Sequence, residues 1–414
     1  MIIRPEKFLR VFFIMKKYDT IVIGSGPAGL AAAFAAQSSG NQVMILEQMP
    51  SAGRKLLASG GGRCNVSNIL APREMANAFG HAARFVRHAL YTYSNEKLCR
   101  FFEKQGVPLE LTDGFHWFPA SGRAQDILEV LSAVEVMTSC RAGKLLIGNG
   151  QICGVETSCG IFYAPKIVLA GGGRSYPALG GNGGCYALAQ QAGHSITETF
   201  PAMVGLQCQE NWVHECAGIS LPDAESRIAL PGEKFRCRGE LLFTHTGVSA
   251  FAILDISGRV SELLKSGKAV PLEINLFAEH NYDFWMETFA IWQKSSPTQC
   301  VAKLLSQYMP KKLAAFLVGN PELKVSGFSI ACRRELAAKL SALKLNISGT
   351  DGWLKAMVTR GGVALDDVDS KTLESKLVSG LFFAGEVLDV DGPCGGYNIS
   401  WALASGFLTG NMVL

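Results

Sequence analysis

The stretch Tyr18-Asp19-Thr20-Ile21-Val22-Ile23-Gly24-Ser25-Gly26-Pro27-Ala28-Gly29-Leu30, continued by Ala31 to Gly40 and then Val43-Met44-Ile45-Leu46-Glu47, decides the fold. A β-branched apolar run breaks at a glycine and an alanine-rich helical stretch follows. A second apolar run then ends on an acid about twenty residues later, the order a dinucleotide-binding βαβ unit requires. Gly24 permits the tight turn out of the strand, Gly26 admits a pyrophosphate against the backbone, and Gly29 lets the helix lie on the sheet. The first helical turn, Pro27-Ala28-Gly29, points free N–H groups and the positive end of its dipole at the phosphates. Glu47 is placed to accept hydrogen bonds from an adenosine ribose. A plain glycine turn between packed elements leaves the spaced acid unexplained.

Outward from this unit, Gly53-Arg54-Lys55-Leu56-Leu57-Ala58-Ser59-Gly60-Gly61-Gly62-Arg63-Cys64-Asn65 joins bare glycine backbone to three cations. Such a loop suits a phosphate or the polar edge of a flat ring, with Arg54, Lys55, Gly61, Gly62, Arg63, Cys64 and Asn65 as candidate contacts. Residues 73–133 read as amphipathic helix, interrupted by an aromatic turn from Asp113 to Gly122 suited to packing over something flat or over the core, with core packing expected for Trp117. Lys144–Ile147 and Gln151–Thr157 flank a Gly-Asn-Gly hairpin tip, and Ile161–Leu169 continues as strand into Ala170-Gly171-Gly172-Gly173, a second bare backbone at the carboxyl edge of the sheet. The glycines at 180–184 open a helix over Cys185–Ala192 but lack fingerprint spacing and a closing acid, so no separate nicotinamide domain is expected.

From about Phe200 the texture becomes short strands at Val204–Cys208, Arg227–Leu230, Glu240–Thr244 and Pro271–Leu276. Tyr282–Val318 turns helical, with Trp285, Phe289 and Trp292 as core stripes, and helix and strand return through Ile330–Ser348. At Ala356–Val363 the first texture resumes, and Gly380–Glu386 reads as a buried strand ending on Gly385 and Glu386, the latter a candidate for a ribityl hydroxyl. Gly395-Gly396-Tyr397-Asn398 then opens a last helix whose N-terminal dipole suits the negative edge of a reduced isoalloxazine. One fingerprint, one ribose acid and three further glycine-edged loops account for one whole FAD.

The chain has 414 residues, 48% hydrophobic and 18% charged, which describes a folded chain of two or three domains with a large core. A net charge of +4 without a basic run gives no warrant for a nucleic-acid partner. Twelve cysteines without CxxC pairs or zinc spacing read as reduced thiols of a cytoplasmic protein, with no metal site expected. No stretch reaches the roughly 18 apolar residues of a spanning helix. Residues 1–14 lack the apolar core and cleavage site of a signal peptide and read as an N-terminal extension.

Taken together, Gly24–Gly29, Lys55–Asn65, Leu169–Gly173 with Ser175-Tyr176-Pro177, Leu242–Ser249, and Gly385–Asp389 with Gly395–Asn398 resemble the BaiN/YhiN-like NAD(P)/FAD-dependent oxidoreductases, a family that includes aminoacetone oxidase-like flavoproteins. The resemblance spans residues 17–414 and departs at Ala250, where relatives commonly carry glycine, and at residues 1–14, which have no counterpart. It implies a Rossmann-type FAD-binding domain, a central parallel sheet with an additional β layer, built from 15–200 and 351–414. It further implies an inserted β-barrel-like domain over 201–350, with a helical module near 281–320 and a substrate cleft between domains. The expected activity is hydride transfer through flavin N5 to or from a small organic substrate, with NADH or NADPH as transient donor. The alternatives are an amine oxidase releasing hydrogen peroxide, and a flavin-holding module for RNA modification or assembly. His245, in the Thr-His-Thr-Gly turn of the insertion, is the candidate general acid.

Overall fold

A computed structural model describes residues 17–412, so the reading of residues 1–14 as an extension lies outside the described residues. Five parallel strands form the central sheet in the order Leu381–Phe383, Lys166–Leu169, Thr20–Ile23, Val43–Leu46, Glu135–Met137. The first two strands in the chain are buried at every position because both faces are covered, which is why they read as unbroken apolar runs. Successive side chains alternate between the faces. Ile21, Ile23, Met44, Leu46, Ile167 and Leu169 join one core, and Val22, Val43, Ile45 and Val168 join the other.

The second face carries two glycine- and alanine-rich helices that run in the same direction, Pro27–Ser38 and Tyr397–Met412. Gly406 and Gly410 allow their close approach, since a Cβ on either would lie 2.3 Å from the Ala28 or Ala32 carbonyl oxygen. Against the first face packs the additional β layer, an antiparallel sheet of Ala142–Gly148, Gln151–Thr157 and Gly160–Tyr163. The run read as one strand over Ile161–Leu169 is broken at Ala164-Pro165: its first half belongs to this layer and its second half to the parallel sheet.

Residues 206–350 contribute a closed antiparallel barrel in the order Leu206–Cys208, Gly247–Ser249, Arg236–Phe243, Ser220–Ile228, Val270–Asn275, Leu343–Thr350. Its core continues into the helices Tyr282–Ser295, Lys311–Val318 and Ile330–Ser341 through Trp285, Phe289, Trp292 and Leu313. The strands read at Arg227–Leu230 and Glu240–Thr244 are only the ends of longer ones. A helix over Phe251–Leu264 was not among the expected elements, although its less buried positions Phe251, Asp255, Arg259 and Glu262 recur at helical spacing.

Two segments join barrel and sheet. Ile196–Ala202 pairs antiparallel with Val358–Val363, Ala202 opposite Val358, and Met357 N–H donates to the Met203 carbonyl at 3.2 Å. The strand Val358–Val363 therefore stays out of the parallel sheet that its texture suggested. The aromatic turn within 73–133 is instead a hairpin, Leu109–Thr112 with His116–Pro119, extended by Ser67–Asn68. Asp113 and Gly114, at φ of 51° and 73°, form its Asp-Gly turn, and Trp117 ends half-buried instead of in the core. Among the described residues no helix is long and apolar enough to cross a membrane.

Candidate functional site

The strand Thr20–Ile23 ends at Gly24, whose φ of 102° turns the chain hard against the loop after Lys166–Leu169; a Cβ there would lie 2.6 Å from the Ala170 oxygen. Gly29 is equally pressed, with a Cβ falling 1.9 Å from the Gly24 oxygen, so its role is packing. Gly26 differs. A Cβ on it meets nothing within 4 Å, and it precedes a helix N-terminus with no side-chain cap, so the orphan N–H groups of that first turn open onto free space. Glu47, 8% exposed at the end of Val43–Leu46, accepts from Ser25 N–H (2.9 Å), Ser25 Oγ–H (2.5 Å) and Met49 N–H (2.8 Å).

Across the opening, the helix Arg54–Ala58 presents Lys55, whose Nζ donates to Glu386 Oε2 (2.5 Å) and to Ser175 Oγ (2.6 Å). Glu386 Oε1 accepts from Ser175 Oγ–H and Thr359 N–H, each at 2.8 Å. The carboxylate expected to be free for a ribityl hydroxyl is thus the hub of a network, with only its remaining lone pairs available to a ligand. Arg54 donates to the Ala178 carbonyl and Arg63 lies 4.6 Å over the Phe118 ring. Gly61 and Gly172, at φ of 66° and 71°, expose bare backbone to open space as Gly26 does. In the orientation that satisfies both amide atoms, Asn65 accepts from Gly396 N–H at 3.1 Å and donates to the Ser67 carbonyl at 2.8 Å. Asn398 accepts from Gly392 N–H and donates toward Met203 Sδ, tying the start of the last helix to the barrel side.

These elements enclose one cavity of about 1170 Å³, at the carboxyl ends of the parallel strands where α/β folds bind ligands. Gly24, Gly26, Pro27, Ala28, Glu47, Arg54, Lys55, Gly61, Arg63, Asn65, Ala170, Gly171, Gly172, Glu386, Gly396 and Asn398 line it. Its opposite wall is apolar: Met203, Phe251, Leu254, Met357 and Val358, with Cys394 beside them.

Six sequence-assigned residues are not part of that lining. Gly29 packs against the turn, and Gly385 faces Ala28 so closely that a Cβ would fall 2.7 Å from the Ala28 Cβ. Gly62 is exposed outside the cavity, and Tyr397 is buried edge-on to Phe79. Cys64 is fully buried, and its thiol is pushed up to about 12 by burial, so it is neither a ring neighbour nor a nucleophile. His245 is exposed on the barrel turn; Phe251 and Leu254 of the following helix reach the cavity in its place. The aromatic hairpin supplies what the sequence reading missed: His116, with Nδ1 2.8 Å from Asp113 Oδ2, lines the cavity together with Asp113. An Asp-Gly turn followed two residues later by histidine was the available signal. Behind the apolar wall, Asp255 accepts from Cys394 N–H at 2.6 Å, and burial raises its carboxyl to about 6.

The cavity fits FAD: glycines that no Cβ could replace without filling the space, uncapped helical N–H groups, and a carboxylate at the strand end form a dinucleotide cradle. Comparison with known proteins agrees. Residues 18–412 match the family described as HI0933-like protein Rossmann domain. The chain is 31% identical to the 3-dehydro-bile acid delta(4,6)-reductase of Clostridium scindens, over 94% of this chain and 97% of that one. It is also 31% identical to the ribosomal RNA dihydrouridine synthase of Escherichia coli K12, over 94% and 96%. Among solved structures, the open conformation of a flavocytochrome c3 fumarate reductase superposes with a TM-score of 0.53 at 16% identity, covering 96% of this chain and 78% of that one. The 3-ketosteroid-delta4-(5alpha)-dehydrogenase of Rhodococcus jostii RHA1 gives 0.50 at 16%, covering 99% and 98%; both likenesses speak to fold alone. The chain belongs to the HI0933-like Rossmann family of FAD-dependent flavoprotein oxidoreductases, the family its motifs resemble.

Proposed function

We propose that the protein reduces a carbon–carbon double bond conjugated to a carbonyl, with FAD as resident cofactor and NADH or NADPH as electron donor. The observation that carries this reading is the continuity of one cavity from the glycine cradle to an apolar wall supplied by the inserted segment. FAD supplies hydride chemistry at flavin N5. In this reading residues 15–200 and 351–414 hold the cofactor and 201–350 present the substrate. Gly26 and the first turn of Pro27–Ser38 take the pyrophosphate, and Glu47 takes the ribose. Lys55 and Glu386 steady the ribityl side, and the Gly395-Gly396 loop turns the positive end of the last helix to the ring, favouring its anionic reduced form. Met203, Phe251, Leu254 and Val358 exclude water and seat a flat unsaturated substrate. The chain has one dinucleotide fingerprint, so a nicotinamide donor uses the same cavity in alternation with the acceptor. The names of both relatives describe hydrogen added to such a double bond, in a 3-dehydro bile acid and in uridine. The many unpaired cysteines support a reducing, cytoplasmic location.

A small organic acceptor is the first reading. Uridine in RNA is the second, favoured by Lys303, Lys311, Lys312, Lys324 and Arg334, which are exposed on the helical module and have no ion-pair partner among the described residues. The test is anaerobic: NADH or NADPH should bleach the bound flavin. A 4,6-dien-3-one steroid, or protein-free ribosomal RNA for the second reading, should then restore its colour. Steady peroxide release from an amine, with neither acceptor active, would assign the oxidase alternative instead.

A further inference from the structure

Adding hydride to a conjugated double bond leaves one atom to be supplied, a proton for the carbon next to the carbonyl. The cavity offers few groups able to give it. The Lys55 ammonium is engaged by Glu386 and Ser175. Cys185 and Cys394 carry thiols that burial holds protonated, at about 12 and about 11. His116 is differently placed. It begins the strand His116–Pro119, across from Asn68 and Thr112, and the Asp-Gly turn beside it folds Asp113 back onto its ring. Asp113 Oδ1 accepts from the backbone N–H of both Phe115 and His116, and its two oxygens lie 3.0 and 2.8 Å from His116 Nδ1. These bonds hold Asp113 below the usual carboxylate range, His116 foremost. An ionised carboxylate only accepts, so Nδ1 must carry hydrogen, and Nε2 is left as the nitrogen that gives or takes a proton.

Nε2 points to the right place. A Cβ built on Gly395 would lie 3.2 Å from it. The Gly395 carbonyl is held by Asn68 Nδ2 at 2.8 Å, and Asn398, three residues on, reaches Met203 of the apolar wall. His116 therefore stands where the cavity passes from the cofactor cradle to the substrate wall.

We propose that His116, positioned by Asp113, is the proton donor of the reduction, an assignment that rests on the reaction class proposed above. The Nε2–H bond breaks as a C–H bond forms at the carbon next to the carbonyl, using the electron pair of the former double bond. The hydride from reduced flavin has by then formed the other C–H bond, so the substrate gains two electrons and two hydrogens and the flavin is oxidised. Solvent returns the proton to Nε2. Asp113 is a positioning residue, fixing the tautomer and the ring plane. The charged and titratable groups near the ring are Asp113 on its own turn, Tyr397 at the start of the last helix, whose ring also lies beside Gly395, and Arg63 above the neighbouring Phe118.

The test compares wild type, His116→Gln, Asp113→Asn, Cys394→Ala and Tyr176→Phe as FAD-loaded proteins, Tyr176 being a hydroxyl-bearing residue of the cavity lining. Flavin content, anaerobic reduction by NADH and NADPH, and reoxidation by a 4,6-dien-3-one steroid and by ribosomal RNA are measured separately. His116→Gln should slow reoxidation about 100-fold or more, with flavin content and reduction rate kept within about twofold, and Asp113→Asn should fall between. A second readout needs no cofactor: ¹⁵N spectra of the FAD-free wild type should show the neutral His116 ring as the tautomer with hydrogen on Nδ1 and none on Nε2, an arrangement lost in Asp113→Asn. The opposite tautomer, with hydrogen on Nε2 and none on Nδ1, or reoxidation of His116→Gln at the wild-type rate, overturns the assignment, and a slow Cys394→Ala or Tyr176→Phe then names the acid. Wild type that neither acceptor reoxidises overturns the reaction class itself, and this role with it.

Discussion

Glu47→Ala should weaken the protein before any cofactor is added. As a ribose acceptor alone, Glu47 would matter only to FAD affinity. In the structure its carboxylate closes the fingerprint turn through Ser25 N–H at 2.9 Å, Ser25 Oγ–H at 2.5 Å and Met49 N–H at 2.8 Å. Ser25 is 1% exposed, so its N–H has no route to water once the acceptor is gone, whereas Met49 is half-buried and its N–H can turn to solvent. A hydrogen bond to a charged group contributes about 1.5–3 kcal/mol, and a stranded buried donor costs about 1–3 kcal/mol. One stranded donor plus two weakened bonds sum to about 3 kcal/mol lost from the FAD-free protein. Loss of the ribose contacts then removes about 1–3 kcal/mol more from FAD binding, roughly 5- to 150-fold. Urea unfolding of the FAD-free variant, followed by FAD titration monitored by flavin fluorescence, separates the two terms. Glu47→Gln, which keeps one acceptor oxygen, should recover part of each. An unchanged urea midpoint for Glu47→Ala would refute the reasoning and return Glu47 to a purely ligand-facing role.

Two contrasts follow from the same geometry. Gly26→Val should abolish FAD binding and leave the FAD-free urea midpoint nearly unmoved, because its side chain enters open space; retained flavin would disprove the pyrophosphate assignment. Gly29→Ala should instead destabilise by about 3 kcal/mol, typical of overpacking, since its methyl meets the Gly24 oxygen; a soluble variant of normal stability would count against that packing. Asp255 offers a pH test. Its carboxyl is raised by burial from 3.8 to about 6, so between those values the folded state binds the extra proton and stability falls as pH rises, levelling off above about 6. Asp255→Asn should therefore gain about 3 kcal/mol at pH 8, a gain that vanishes below about pH 4. An equal effect at both pH values would place the cause elsewhere than in ionisation.

The βαβ unit was legible because each of its glycines answers a local demand, a positive φ at Gly24 and a close approach at Gly29, and because doubly covered strands must be apolar at every position. The core stripes Trp285, Phe289 and Trp292 were legible for the same reason, since helical period and burial coincide there. Where a strand pairs with a partner more than 150 positions away, as Ile196–Ala202 does with Val358–Val363, nothing local announces it. The site divides along the same line. Gly26, Gly61 and Gly172 could be assigned because bare backbone is a property of the residue itself. Cys64 and His245 could not be placed, since which way a side chain faces in a loop is settled by what packs behind it. That packing buried the first, left the second on an outer turn, and brought His116 and Asp113 to the cavity from an aromatic turn in which the sequence reading singled out only Trp117, for the core. The amino-acid sequence by itself determined a cofactor cradle and its ligand class. Only the tertiary structure decided which side chains face the cavity, because that lining joins the hairpin, the last helix and the barrel helix, whose meeting depends on long-range pairing and not on any local pattern.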